Sequence, residues 1–104
     1  SYFKNGRERL MRRSIDGKVY DEDTAQHICD ISEGRQYDFD GVIANLYVTK
    51  KGNFFIAGYG GATTRFKGWV GSKSLISIGL EEARTYCEKF APHEVEVYFE
   101  VEEA

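Results

Sequence analysis

Apolar positions are densest in the middle of the chain. Residues 42–49 are mostly β-branched or aromatic, a composition typical of a strand, and an apolar run begins again at Phe54. The four residues between these runs, Lys50-Lys51-Gly52-Asn53, have the composition of a turn. The pattern therefore predicts a central β-hairpin over about 42–49 and 54–58, ended by the glycines at 58, 60 and 61.

A second, tighter hairpin is predicted near the start of the chain. Asp16-Gly17 lies between the short segments 13–15 and 18–20, and a two-residue Asp-Gly connection is the strongest short signal for a type I′ turn. Both residues of that turn need a positive φ, which Gly adopts without strain and Asp tolerates. We therefore expect an N-terminal β-hairpin centred on this pair.

Helical spacing of apolar residues follows this hairpin. Asp21 is a suitable N-cap, and Gly34 is suited to ending a helix in the left-handed conformation. Residues 22 and 23 are acidic and would lie near the positive end of the helix dipole. An amphipathic helix is therefore predicted over about 22–33, with an apolar stripe of Ala25, Ile28 and Cys29 that is widened by Ile31.

A second amphipathic helix is predicted over about 80–90. Gly79 precedes it as a cap, and Pro92 ends it. Segments 65–70 and 75–78, which lie before the helix, have the composition of one or two further strands. The helical spacing predicts a buried stripe of Leu80, Ala83, Cys87 and Phe90 and a solvent-facing set of Glu81, Glu82 and Glu88.

The segment 94–101 fits two structures. Its apolar residues alternate with glutamates, as in a strand, at Val95, Val97, Phe99 and Val101. Pro92 followed by His93 and Glu94 is instead a good first turn for a helix. The residue pattern leaves both a short acidic helix and an edge strand open.

Length and composition predict one α+β domain over residues 1–104, with residues 1–10 as a flexible N-terminal extension. Its predicted core is a small antiparallel sheet with two helices packed against it. The longest apolar run is four residues, 54–57, so neither a membrane-spanning segment nor a signal peptide is predicted. The two cysteines have no disulfide-type spacing, which fits a reducing compartment, and we expect a cytoplasmic protein.

Charge alternates in sign along the chain although the total is only −3. Successive segments carry +4 over residues 1–20, −6 over 21–40, +5 over 41–80 and −6 over 81–104. Residues 41–80 contain no Asp or Glu, but they hold five Lys and Arg residues, eight of the eleven glycines and six of the fifteen aromatics. This mixture of cations, ring faces and flexible backbone favours contact with an extended anionic partner.

Residues suited to catalysis or metal binding form no recognisable motif. Residues 58–61 begin like a phosphate-binding loop, but Thr63 stands where the motif needs its last glycine. His27 and Cys29 are two residues apart and would lie on different faces of a helix, so no zinc site is predicted. Cys29 and Cys87 occupy apolar stripes and are predicted to be core residues. We therefore predict a protein that is not an enzyme and uses no metal or cofactor.

Two candidate partner-binding surfaces follow from the charge pattern. Strand alternation places Phe54 with Ile56 on one face and Phe55 with Tyr59 on the other, so about half of the rings must be core. The acidic segments 21–40 and 81–103 could mimic nucleic-acid phosphates toward a cationic channel. The candidate contact residues are Tyr47, Lys50, Lys51, Tyr59, Arg65, Lys67 and Trp69 in the basic aromatic block, and Glu81, Glu82 and Glu88 on the acidic helix.

Several stretches of the chain resemble a family of small proteins carried by phages and mobile elements. They are residues 12–21 with 23–25, 46–61, 80–84 and 98–104, and the likeness spans most of residues 11–104. Proteins of this size and genetic setting include anti-CRISPR inhibitors, so the resemblance implies an inhibitor that acts in a bacterial host cell. It also implies a helical C-terminal end, which favours the short helix for residues 94–101.

The function predicted from these observations is that of an anti-CRISPR protein. It would bind a CRISPR-Cas effector stoichiometrically and block target DNA binding or cleavage without catalysis. Weak or no direct binding to nucleic acid is expected, because the acids of the flanking segments outnumber the cations of the central block. Two alternatives stay open: a single-stranded nucleic-acid-binding module, and a structural accessory protein of a mobile element that forms a homodimer.

Overall fold

The computed structural model describes residues 10–34, 41–60 and 73–104. These ranges contain six strands, two α-helices and one 3-10 turn. In chain order they are β1 (Arg12–Ile15), β2 (Lys18–Asp21), β3 (Gln26–Glu33), β4 (Val42–Val48), β5 (Phe54–Gly60), β6 (Ser74–Ile78), α1 (Leu80–Phe90), the 3-10 turn Pro92–Glu94 and α2 (Val95–Tyr98).

The strands form two antiparallel sheets, which confirms the predicted α+β class. β1 and β2 pair as a two-stranded ribbon, and β3, β4, β5 and β6 follow one another in a four-stranded sheet. The predicted central hairpin is the β4–β5 pair, in which Val48 is opposite Phe54 and Val42 is opposite Gly60. Gly52, in the connecting turn, has a φ of 88°, so glycine relieves backbone strain there.

The N-terminal hairpin also has its predicted turn. Asp16 has a φ of 51° and Gly17 a φ of 76°, as a type I′ turn requires. Ile15 pairs with Lys18 directly across the turn, and the ladder continues to Arg12 opposite Asp21.

The predicted helix over residues 22–33 is wrong, because this segment contains the strand β3. A bulge between His27 and Cys29 interrupts the pairing of β3 with β4. The bulge leaves Ile28 and Cys29 buried in the same core cluster, and Ile31 joins them two residues later. The extra residue thus converts a period of two into a spacing that imitates one face of a helix.

Asp21 starts a single turn where the helix was predicted to start. The Asp23 amide donates to Asp21 Oδ1 at 2.9 Å, and the Ala25 amide donates to the Asp21 carbonyl at 3.1 Å. The turn stops after residue 25, because residues 26–33 extend their backbone to pair with β4. Gly34 does have a positive φ, 67°, but it follows a strand and not a helix.

The four-stranded sheet is covered on both faces. One cluster joins α1 and the C-terminal segment to the sheet, with Leu46, Ile56 and Cys87 almost completely buried. On the opposite face, Tyr20 of the N-terminal hairpin packs edge-on against Phe55 with 5.5 Å between ring centroids. The predicted alternation of Phe54 and Phe55 is confirmed, but each ring is buried against a different layer.

The predicted helix over residues 80–90 is confirmed as α1, with Gly79 as its N-cap. Its buried stripe is narrower than predicted, because Ala83 and Cys87 are buried whereas Leu80 is 54% exposed and Phe90 is only half-buried. Residues 95–98 form α2, which confirms the short helix and not the edge strand. In the part of the chain that the structure describes, no helix has the length and apolar character needed to cross a membrane.

The glycines of the central block act differently from the prediction. Gly58 does not end the strand, since β5 continues to Gly60. A Cβ atom at position 58 would overlap the Ile43 carbonyl oxygen and the Ala44 Cα, so the absent side chain permits close approach of β4. Of the two further predicted strand segments, 75–78 is confirmed within β6, and 65–70 lies outside the described residues.

Candidate functional site

The acidic residues of α1 lie where the helix presents them to solvent. Gly79 starts the helix, and burial of Ala83 and Cys87 fixes which face is turned toward the sheet. Glu81 and Glu88 are exposed and Glu82 is half-buried, so the predicted solvent-facing set is correct for two of its three residues. Glu81 and Glu82 are in the first turn, where the helix dipole stabilises negative charge.

The C-terminal segment continues this negative charge. Residues 80–104 contain eight glutamates and only two Lys and Arg residues. Lys89 forms an ion pair with Glu33 of β3 at 2.7 Å, and Arg84 pairs with Glu81 one helical turn away. The exposed glutamates of this segment are here called the acidic surface, which consists of Glu81, Glu88, Glu96, Glu100, Glu102 and Glu103.

Aromatic packing fixes the C-terminal segment against the sheet. Phe99 is 7% exposed and stacks on Phe54 with 5.2 Å between centroids and 14° between ring planes. Its amide donates to the Val95 carbonyl at 2.9 Å. These contacts hold α2 and the start of the final segment on the same side of the sheet as α1.

The basic hairpin turn is exposed as predicted. Lys50 and Lys51 lie at the tip between β4 and β5, and both are exposed. The Thr49 amide donates to the Asn53 carbonyl at 2.8 Å, and the Asn53 amide donates to Thr49 Oγ1 at 3.0 Å. The turn therefore presents two cations on a well-bonded backbone.

Two of the rings predicted to accompany those cations, Tyr47 and Tyr59, are buried or half-buried. Tyr47 is 8% exposed, stacks on Phe55 at 5.0 Å, and donates its hydroxyl hydrogen to Glu22 Oε1 at 2.8 Å. Tyr59 is half-buried and pairs with Ile43 of β4. It lies five residues along β5 from Phe54, and in an extended strand this separates the two residues by about 17 Å. The structure does not bring these two rings together with the lysines. Arg65, Lys67 and Trp69 lie outside the described residues.

Sequence reasoning missed a buried polar network between the N-terminal hairpin and the sheet. Glu22 Oε2 accepts from Lys73 Nζ at 2.7 Å and from the Met11 amide at 2.8 Å. Arg13 Nη1 donates to the Leu75 carbonyl at 2.6 Å. No local pattern marks this network, because its members come from four separate parts of the chain.

An exposed polar cluster lies on the sheet face at the start of β3. His27 Nε2 is 3.0 Å from Asp30 Oδ1 and 3.2 Å from Asn45 Oδ1, and its ring packs edge-on against Tyr47. Among the described residues, the hydrogen-bond partners of this imidazole nitrogen are a carboxylate oxygen and an amide oxygen, not a nucleophilic hydroxyl or thiol.

Both cysteines are buried in the helix-side core, as predicted. Burial raises the pKa of the Cys29 thiol from 9.0 to about 11, with a smaller contribution from the neighbouring Cys87. Burial also raises the pKa of Cys87. Neither thiol is therefore activated as a nucleophile. Within residues 10–34, 41–60 and 73–104, no group of three or more His, Cys, Asp and Glu side chains is placed to hold a metal ion.

Comparison with protein-family models, with curated proteins and with solved structures gave no match for this chain.

Proposed function

We propose that the protein is an anti-CRISPR inhibitor that binds an RNA-guided effector stoichiometrically and blocks target DNA binding or cleavage without catalysis. The observation that carries this proposal is the acidic surface, where exposed carboxylates from α1 and the C-terminal segment share one side of the protein. Such effectors hold nucleic acid in a positively charged channel. A folded domain with dense surface carboxylates suits such a channel as a substitute for phosphates.

The physical mechanism is competition between the protein and DNA for the cationic side chains of the effector. Carboxylates at the acidic surface would attract the Lys and Arg side chains that otherwise contact DNA phosphates. This attraction would speed association and would weaken as salt is added. Glu81 and Glu88 lie on exposed positions of a helix whose other face is fixed in the core, so they require little ordering on binding. The proposed site of action is the cytoplasm of the bacterial host, where the effector is.

The exposed pair Lys50 and Lys51 supports a second candidate, a module that binds single-stranded nucleic acid directly. Such modules combine cations with exposed rings, and Tyr47 is buried beside Glu22. Among the described residues this surface thus offers phosphate contacts with little base stacking. We therefore rank it below the inhibitor.

Pull-down against assembled CRISPR effectors tests the proposal, with Glu81→Lys/Glu88→Lys and Lys50→Glu/Lys51→Glu as matched variants. Each variant reverses two exposed charges. The lysine variant should alter stability by about 0.5 kcal/mol or less. The glutamate variant should cost about 1 kcal/mol, because Glu81 lies in the first turn of α1 and pairs with Arg84, so thermal unfolding is measured beside binding. We expect the glutamate variant to lose binding and inhibition, and the lysine variant to keep both. Plaque assays in hosts with and without CRISPR immunity provide the functional readout.

Several outcomes would contradict these assignments. If no effector is retained and plaquing is equal in both hosts, the protein is not an anti-CRISPR inhibitor. If only the lysine variant loses binding, the basic hairpin is the interface and the acidic surface is not. A tight, salt-resistant complex with naked nucleic acid in a gel shift would favour the nucleic-acid-binding module. A stable dimer without any effector complex would favour the structural accessory protein.

A further inference from the structure

An open groove of about 420 Å³ lies between the C-terminal end of α1, α2 and the last residues of the chain. The groove is shallow and largely open to solvent. None of the eight described residues that line it has a positively charged side chain. They are the apolar Pro92, Val95, Val101 and Ala104 and the acidic Glu88, Glu96, Glu102 and Glu103.

Contacts with the core position parts of the two walls of the groove. Val95 is 9% exposed and belongs to the helix-side core, so α2, which forms one wall of the groove, is packed against that core. Phe99, stacked on Phe54, anchors the start of the segment that forms the other wall. Val101, by contrast, is 50% exposed, and its side chain is accessible to a partner.

The charges around the groove select among partners. Nucleic acids and anionic membrane surfaces are repelled by four carboxylates. A metal ion is not favoured, since these glutamates form no group placed to hold one among the described residues. A cation on a protein chain meets the carboxylates and also the C-terminal end of α1, which carries partial negative charge from the helix dipole.

We infer that this groove binds a cationic segment of a protein partner, with Lys or Arg side chains among the carboxylates and an aliphatic side chain against Val101. The apolar lining explains why a protein segment fits better than a small cation, because burial of an aliphatic side chain adds affinity that charge alone does not supply. This inference rests on the proposed function, because it says which part of the acidic surface contacts the effector.

Titration with short synthetic peptides tests the groove directly. One peptide contains Lys, Arg and Leu, and its counterpart has Glu in place of every cation. We expect the basic peptide to shift the backbone amide NMR signals of Glu88, Glu96 and Val101, and the acidic peptide to shift none of them. Val101→Ser should weaken basic-peptide binding about fivefold through lost apolar contact, whereas Val97→Ser should not change it. Val97 is a matched control, because it is 66% exposed but does not line the groove.

Shifts spread evenly over all acidic residues, or equal effects of the two valine variants, would overturn the groove as a specific site. Effector pull-down with Glu96→Lys/Glu102→Lys and with the control Glu81→Lys/Glu100→Lys separates this inference from the proposed function. Both variants add the same charge, so an excess loss of about tenfold in the first supports the groove. Equal losses would overturn the groove while the inhibitor proposal stands. No effector binding by the wild type would overturn the inhibitor proposal, and the peptide titration would still decide the groove.

Discussion

Lys73 Nζ lies 2.7 Å from Glu22 Oε2, and the two side chains are 9% and 1% exposed. Glu22 is in the turn after β2, and Lys73 immediately precedes β6. Tyr47 and the Met11 amide supply two more hydrogen bonds to the same carboxylate. This buried network fastens the N-terminal hairpin to the face of the sheet that carries Phe55.

Lys73→Met should lower the free energy of unfolding by about 3 kcal/mol. Removal of one member of a buried ion pair leaves the other charge without its compensating partner in a desolvated site. Urea unfolding measures the effect, and Lys18→Met, at an exposed position, is the matched control with an expected change within about 0.5 kcal/mol. Equal costs for the two variants would show that the ion pair contributes nothing to stability.

The double variant Glu22→Gln/Lys73→Met should recover part of that loss. It removes both charges, so the remaining polar groups no longer surround a lone carboxylate. We expect the double-mutant cycle to give a coupling energy above about 1 kcal/mol. Strictly additive effects would mean that Glu22 and Lys73 act independently.

The cysteine thiols should resist alkylation in the folded protein at pH 8. With a pKa of about 11, about one Cys29 thiol in a thousand is ionised at that pH, and the side chain is buried. Mass spectrometry after iodoacetamide treatment measures the modification, and the same treatment in urea is the control. Rapid labelling without denaturant would contradict the buried placement.

Stability should fall between pH 9 and about pH 11 through Cys29. In this range the unfolded state loses the thiol proton while the folded state retains it, so the slope of unfolding free energy with pH is negative. The difference in stability between the wild type and Cys29→Ala should therefore shrink as the pH rises through this range. A difference that stays constant, measured by urea unfolding at each pH, would contradict the raised pKa.

Ser74→Ala should leave stability unchanged or raise it by up to about 1 kcal/mol. The Ser74 hydroxyl is fully buried and has no hydrogen-bond partner in the described part of the chain. Its removal therefore also removes the free-energy cost of taking an unpaired hydroxyl out of water. Thr49→Ala is the control, because Thr49 Oγ1 accepts a hydrogen bond from the Asn53 amide and its loss should cost about 1 kcal/mol. A larger loss for Ser74→Ala than for Thr49→Ala would disprove this account.

Gly58→Ala should destabilise the sheet by about 3 kcal/mol. The new methyl group would overlap the backbone of Ile43 and Ala44, so β4 and β5 would have to separate. Gly79→Ala is the control for the steric effect, since no atom lies within 4 Å of a Cβ there, and loss of the glycine N-cap of α1 should cost only about 1 kcal/mol or less. Thermal unfolding of the two variants measures the difference. Similar melting temperatures would mean that the strands have room at position 58.

The sequence by itself determined the elements whose signals are local. The Asp16-Gly17 turn is predictable because Asp and Gly tolerate the positive φ that both positions adopt. Helix α1 is predictable from the helical spacing of apolar residues between Gly79 and Pro92. The central hairpin follows from two strand-forming runs around a turn with glycine at position 52. The exposed positions of Glu81 and Glu88 follow from the same helical spacing.

Only the tertiary structure decided the state of residues 22–33. Spacing of Ile28, Cys29 and Ile31 suits either a helix or a bulged strand, and pairing with β4 selects the strand. Burial of Glu22 and Tyr47 was equally invisible in the sequence, because their environment depends on Lys73 and Phe55 from distant segments. Local propensity is a small energy per residue, whereas sheet pairing and burial act across the whole core, and they decide wherever a local pattern admits two structures.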